Sequence, residues 1–153
     1  VEAKILAISG VGREATLTVK VAETNATSTF EAKDVEAAAK SSLEGVADMT
    51  TLDDLTEATV LSTLRARYAR KEIYTNVGGI LVAVNPYESL PDDVYGEDTM
   101  FAYGGADVAF SGCAPHPYLL AEGALRALDR DRESQSFVIS GESGSGKTES
   151  CKY

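Results

Sequence analysis

Basic residues are scarce in this chain. Fourteen Lys and Arg stand against 24 Asp and Glu over 153 residues, a net charge of −10. The pI is about 4.5. Such a surface argues against nucleic acid as a partner, because binding a phosphate backbone needs a basic face. The acidity itself is read as a source of solubility. Histidine and cysteine are nearly absent, with one His116 and the pair Cys113 and Cys151. That set has no metal-ligand spacing, so a zinc site is excluded and free thiols in a reducing compartment are expected. Long apolar runs are missing too. The longest strongly apolar run covers residues 80–84, far too short to span a bilayer, and no signal peptide is visible. With 44% hydrophobic residues, the chain has enough apolar material to fold rather than stay disordered.

The order of patterns suggests a small β-rich unit followed by an α/β unit, with the boundary near Gly45-Val46-Ala47-Asp48-Met49. Residues 4–8 read as a strand and Gly10-Val11-Gly12 as a turn. Ala15, Leu17, Val19 and Val21 alternate with polar residues as a half-buried strand does. Residues 27–30 read as a third strand, and the alanine-rich stretch 34–42 as a helical turn. From Thr51 the pattern becomes helical. Val60, Leu61, Leu64 and Tyr68 are expected to form one apolar stripe, with Arg65, Arg67, Arg70 and Lys71 as a solvated helix end. Residues 73–76 and 80–84 read as strands around Gly78-Gly79. The second is apolar on both faces, so it is expected inside a sheet, and Asn85-Pro86 ends it. Residues 88–117 read as loop, and 118–129 as a helix with Leu120, Ala124 and Leu128 on one face.

One motif carries chemistry. Phe137-Val138-Ile139-Ser140 leads into Gly141-Glu142-Ser143-Gly144-Ser145-Gly146-Lys147-Thr148, the G-x-x-x-x-G-K-T pattern of an NTPase phosphate loop. Its glycines let the backbone curl so that successive N–H groups form an anion nest at a helix N-terminus. Lys147 would reach the β- and γ-phosphates, and the Thr148 hydroxyl would ligate Mg²⁺. Residues 137–140 are expected to be the strand that feeds the loop. An ordinary Gly/Ser turn has no use for lysine followed by threonine at that spacing. No acid–base pair, metal cluster or nucleophilic triad accompanies the loop.

Four stretches, in order, resemble the myosin motor domain over about residues 46–153. The first is Asp48-Met49-Thr50-Thr51-Leu52, continuing to Leu64-Arg65-x-Arg67-Tyr68. The second is Ile73-Tyr74-Thr75 through Gly78 to Ile80-Leu81-Val82-Ala83-Val84-Asn85-Pro86-Tyr87. The third is Pro115-His116-Pro117-Tyr118. The fourth is Asp131-Arg132-Glu133-Ser134-Gln135-Ser136, leading to the phosphate loop and Glu149. The resemblance implies an SH3-like β-barrel over 1–45 and the start of an α/β, phosphate-loop NTPase-type motor core over 46–153. It implies that residues 141–148 hold ATP and Mg²⁺, with Lys147 as the catalytic cation. Asn85, Pro86 and Tyr95 would face the adenine. Asp92 and Asp93 interrupt the family's Leu-Pro-Ile-Tyr-Gly pattern at Tyr95. Glu88 stands where the family usually has a basic residue, and Ser145 where it has alanine.

The implied partners are ATP, actin filaments and, in a full-length parent, light chains or calmodulin. The implied setting is the cytoplasmic cytoskeleton. The family's switch I and switch II loops are not in the sequence. Val1 opens the chain without a methionine, and Tyr153 follows Thr148 by five residues, so a fragment is expected. Alone it is expected not to hydrolyse ATP, since phosphoryl transfer draws on several loops at once. Two other readings stay open: another phosphate-loop enzyme such as a kinase or GTPase, or a truncated non-motor protein that binds partners through its barrel.

Overall fold

The computed structural model describes residues 3–22, 24–35, 44–104 and 112–153. The N-terminal unit is an antiparallel sheet of β1 (Ala3–Ser9), β2 (Thr16–Val21) and β3 (Thr27–Glu31), with β2 in the middle. Period-two alternation places Ala15, Leu17 and Val19 on the buried side. Ile5 pairs with Val19 and Ile8 with Leu17, with an irregularity between Ile5 and Ala7. On the outer strand Ile5, Leu6 and Ile8 stay exposed. The described strands form an open three-stranded meander. A 3-10 turn spans Ala32–Asp34 and meets the helical turn expected at 34–42 only at Asp34; the rest of that stretch from residue 36 lies outside the described residues.

Helix α1 (Glu57–Ala69) starts where Thr56 and Thr59 cap each other reciprocally. Thr59 N–H donates to Thr56 Oγ1 at 3.2 Å, and Thr56 N–H donates to Thr59 Oγ1 at 2.9 Å. The inward face differs from the expected stripe. Thr59, Thr63 and Arg67 are the buried residues of α1, while Leu61 is 54% and Tyr68 39% exposed. Arg67 is the cause. Its Nη2 donates to Tyr74 O at 2.8 Å, its Nε to Thr75 Oγ1 at 2.9 Å, and its Nη1 lies 3.0 Å from Glu72 Oε2. This cation is therefore a buried tie between helix and sheet and not a solvated helix end. Apolar periodicity does not register a polar residue whose partners come from another element.

Gly45 lets the chain pass close to α1. It has φ +68°, and an added Cβ would lie 2.9 Å from Ala66 Cβ. Arg70 fastens the same point by donating to Glu44 O at 3.1 Å and Gly45 O at 2.9 Å. Strands β4 (Tyr74–Val77) and β5 (Ile80–Ala83) form the expected hairpin, with Gly78 at φ +59°. Asp48 braces its turn. The carboxylate accepts from Thr50 N at 2.9 Å, Thr50 Oγ1 at 2.8 Å and Gly78 N at 3.1 Å. The bond from Thr50 N–H is the chief reason that Asp48 is held below the usual carboxylate range. Asn76 N–H donates to Ala47 O at 2.8 Å on the other side of β4.

Strand β5 is an edge strand among the described residues, and Ile80 is 67% exposed. The expected interior position is not realised, because no described strand pairs with its outer side. Residues 88–117, read as loop, contain a helix α2 (Glu97–Tyr103). Helix α3 (Pro117–Asp131) is longer than expected and buries Leu119. Leu128 is exposed instead of lying on a covered face with Leu120 and Ala124. Residues 132–140 belong to no helix or strand, Arg132 is left-handed at φ 57°, and Val138 is 92% exposed. Among the described residues, the strand expected before the loop at 141–148 is thus absent, again because no described neighbour supplies its ladder. Among the described residues, no helix is long and apolar enough to cross a membrane.

Candidate functional site

The loop at residues 141–148 closes on itself before a short helix, α4 (Lys147–Ser150). Gly144 and Gly146 have φ +79° and +93°, left-handed conformations that favour glycine. Ser145 N–H donates to Glu142 O at 3.2 Å and forms the inner turn. An added Cβ on Gly141 would lie 2.5 Å from Ser145 Oγ, so serine in place of alanine relies on glycine at 141. Lys147 Nζ donates to Gly141 O and Glu142 O, both at 2.8 Å. The cation therefore reaches back over its own loop. The first N–H groups of α4 have no partner inside the helix. Thr148 is exposed.

The Asn85 segment meets this loop. Asn85 Nδ2 donates to Gly144 O at 2.8 Å, and Tyr87 OH donates to the same oxygen at 3.4 Å. Asn85 Oδ1 accepts from Tyr87 N–H at 2.9 Å. Pro86 O accepts from Tyr68 OH at 3.2 Å, which ties the segment to α1. Glu88 pairs with Lys71. Its acidic charge, a departure from the expected pattern, is met by a cation from the end of α1.

Tyr95 stands elsewhere. Its ring stacks on Tyr153 at 3.6 Å between centroids and 6° between planes. Its hydroxyl lies 2.5 Å from Tyr74 OH. Among the described residues, no hydrogen bond joins Tyr95 to Asn85 or to residues 141–148. The structure thus brings Asn85 to the loop and sets Tyr95 beside the end of α4. Burial pushes the Tyr95 hydroxyl up, and burial followed by the Tyr95 bond pushes Tyr74 up strongly.

His116 organises the neighbouring aromatic cluster, a role the sequence did not signal. Its Nε2–H donates to Val94 O at 3.0 Å, and its Nδ1 accepts from Tyr118 N–H at 3.1 Å as the cap of α3. The rings of Tyr74, Tyr103 and Tyr118 surround it. Burial lowers its pKa below the ordinary value, partly opposed by the Val94 bond. The unfolded chain therefore takes the proton first, near pH 6.5. The stability carried by neutral His116 is complete above about pH 6.5 and is lost as pH falls through the lowered folded value. The melting temperature is expected to fall between about pH 7 and pH 5, and less steeply in His116→Asn. Equal slopes in the two proteins would refute this role.

The sequence profile of the myosin head (motor domain) family matches residues 46–153, which include the loop, the Asn85 segment and the His116 cluster. The chain belongs to the myosin head family. Myosin-7 of Arabidopsis thaliana is 49% identical over 108 residues, covering 71% of this chain and 6% of the relative. Myosin-J heavy chain of Dictyostelium discoideum is 46% identical over 111 residues, covering 72% and 5%. Unconventional myosin-Vb of Mus musculus is 45% identical over 112 residues, covering 72% and 6%. The chain thus spans a small fraction of the length of these myosins. What it has of the myosin head is the start of the motor domain, built from a small antiparallel hairpin and helices.

Proposed function

We propose that this chain is the ATP-binding portion of an actin-based motor that couples ATP hydrolysis to movement on filaments. Residues 1–45 are assigned as an SH3-like barrel and 46–153 as the N-terminal part of the motor. Residues 141–148 grip the polyphosphate through backbone N–H groups. Lys147 exchanges its bonds to Gly141 and Glu142 for phosphate oxygens, and the exposed Thr148 hydroxyl is available to Mg²⁺. Mg²⁺, when bound, neutralises charge between the phosphates. Asn85, Pro86 and Tyr95 are assigned to the nucleoside side. Actin, and light chains or calmodulin, are partners of the full-length protein, which works in the cytoplasmic cytoskeleton.

One observation carries this reading. A G-x-x-x-x-G-K-T loop with two left-handed glycines is hydrogen-bonded to the Val-Asn-Pro-Tyr segment 59 positions earlier. A kinase or GTPase reading accounts for the loop but not for that segment. The test is ATP turnover by the full-length protein and by residues 1–153. The full-length protein is expected to hydrolyse MgATP faster when actin filaments are added. The 153-residue chain is expected to show no turnover above its Lys147→Ala control. A full-length protein indifferent to actin would refute the motor reading.

A further inference from the structure

Asn85 is expected to face the nucleoside, yet its side chain is engaged with the phosphate loop. Its Oδ1 is taken by Tyr87 N–H, so the remaining amide group, Nδ2, faces Gly144 O as a donor. The Gly144–Ser145 peptide is thereby held at both ends. Its carbonyl is bound by Asn85, and its N–H donates to Glu142 O at 3.2 Å. A planar trans peptide bonded at both O and N–H resists rotation of its plane, and the left-handed Gly144 lies at one end of it with the left-handed Gly146 one residue beyond the other. An added Cβ on Gly146 would meet Asn85 only at an ordinary 3.8 Å, so the left-handed φ of +93°, and not crowding by Asn85, favours glycine there. The segment is braced from behind by Tyr68 on Pro86 and by the Lys71–Glu88 pair.

We infer that Asn85 is a positioning residue for the phosphate loop, holding the Gly144 carbonyl so that the loop's N–H groups are preset for a polyphosphate. The inference rests on the ATP-binding reading proposed above. The ligand class it concerns is the inorganic polyphosphate chain, independent of any base. Tyr87 supplies a second, longer contact to the same oxygen.

The experiment compares MgATP with magnesium tripolyphosphate, which has no nucleoside, by calorimetric titration of the full-length protein. Two variants are used. Asn85→Ser keeps an oxygen for Tyr87 N–H but is too short to reach Gly144 O. Asn85→Ala removes both contacts. Both are expected to weaken MgATP and tripolyphosphate alike by about 5–10-fold, the size of one neutral hydrogen bond. The melting temperature of Asn85→Ser is expected to stay unchanged, which separates positioning from general loss of fold. Weakened MgATP with tripolyphosphate unaffected would overturn the inference and leave Asn85 with its nucleoside role alone. Unchanged binding of both ligands would also overturn it. Wild-type protein that binds neither ligand would refute the ATP-binding reading, and the inference with it.

Discussion

Lys147→Ala in the full-length protein is expected to lower ATP turnover by at least about 100-fold, the usual scale for removing one preorganised charge-stabilising group. Lys147 is the one cation between Gly141 and Thr148. Its ammonium group sits over the loop on the carbonyls of Gly141 and Glu142. The effect should fall on turnover both with and without actin filaments, because charge on the transferring phosphoryl group develops in either case. The same substitution should leave the melting temperature nearly unchanged, since the bonds it removes are solvent-exposed. Lys147→Arg should fall between the two. It keeps the charge but brings a planar fork where a compact point charge is needed. Steady-state phosphate release decides the matter, and an alanine variant within about threefold of wild type would sink the role assigned to Lys147.

Arg67→Ala is expected to destabilise the chain by about 3 kcal/mol, the scale for removing one member of a buried charged network. Arg67 is 7% exposed. Burial lowers its guanidinium pKa and the neighbouring Glu72 opposes that, as expected of a cation kept charged by its partner. Alanine leaves Tyr74 O and Thr75 Oγ1 without their donor in the interior and opens space beneath α1. Arg67→Lys should recover only part of the loss, because one ammonium group cannot reach Tyr74 O, Thr75 Oγ1 and Glu72 with the geometry of the fork. Arg70→Ala is the control. Arg70 reaches the same Glu72 and the 44–45 backbone, but its side chain is 46% exposed. Its loss should stay within about 1 kcal/mol. Urea unfolding followed through the tyrosine signal around β4 separates the cases. Equal midpoints for the Arg67 and Arg70 variants would contradict the buried tie.

Much of this protein was legible in its residues. The alternation of Ala15, Leu17 and Val19 marked β2, the Gly78-Gly79 pair marked the hairpin, and the G-x-x-x-x-G-K-T spacing marked the loop. Each of these is a local property. Side-chain period, glycine conformation and motif spacing are set by a few neighbouring positions, so sequence determines them before any long-range contact forms. The tertiary structure alone decided that α1 turns Thr59, Thr63 and Arg67 inward, that Glu88 meets Lys71, and that His116 sits among tyrosines. It also decided that Asn85 reaches Gly144 across 59 positions while Tyr95 stacks on Tyr153. In each of these cases a polar or aromatic group finds its partner in a distant element. Hydrophobic period is blind to such a partner, because it records which residues avoid water and not which groups satisfy one another.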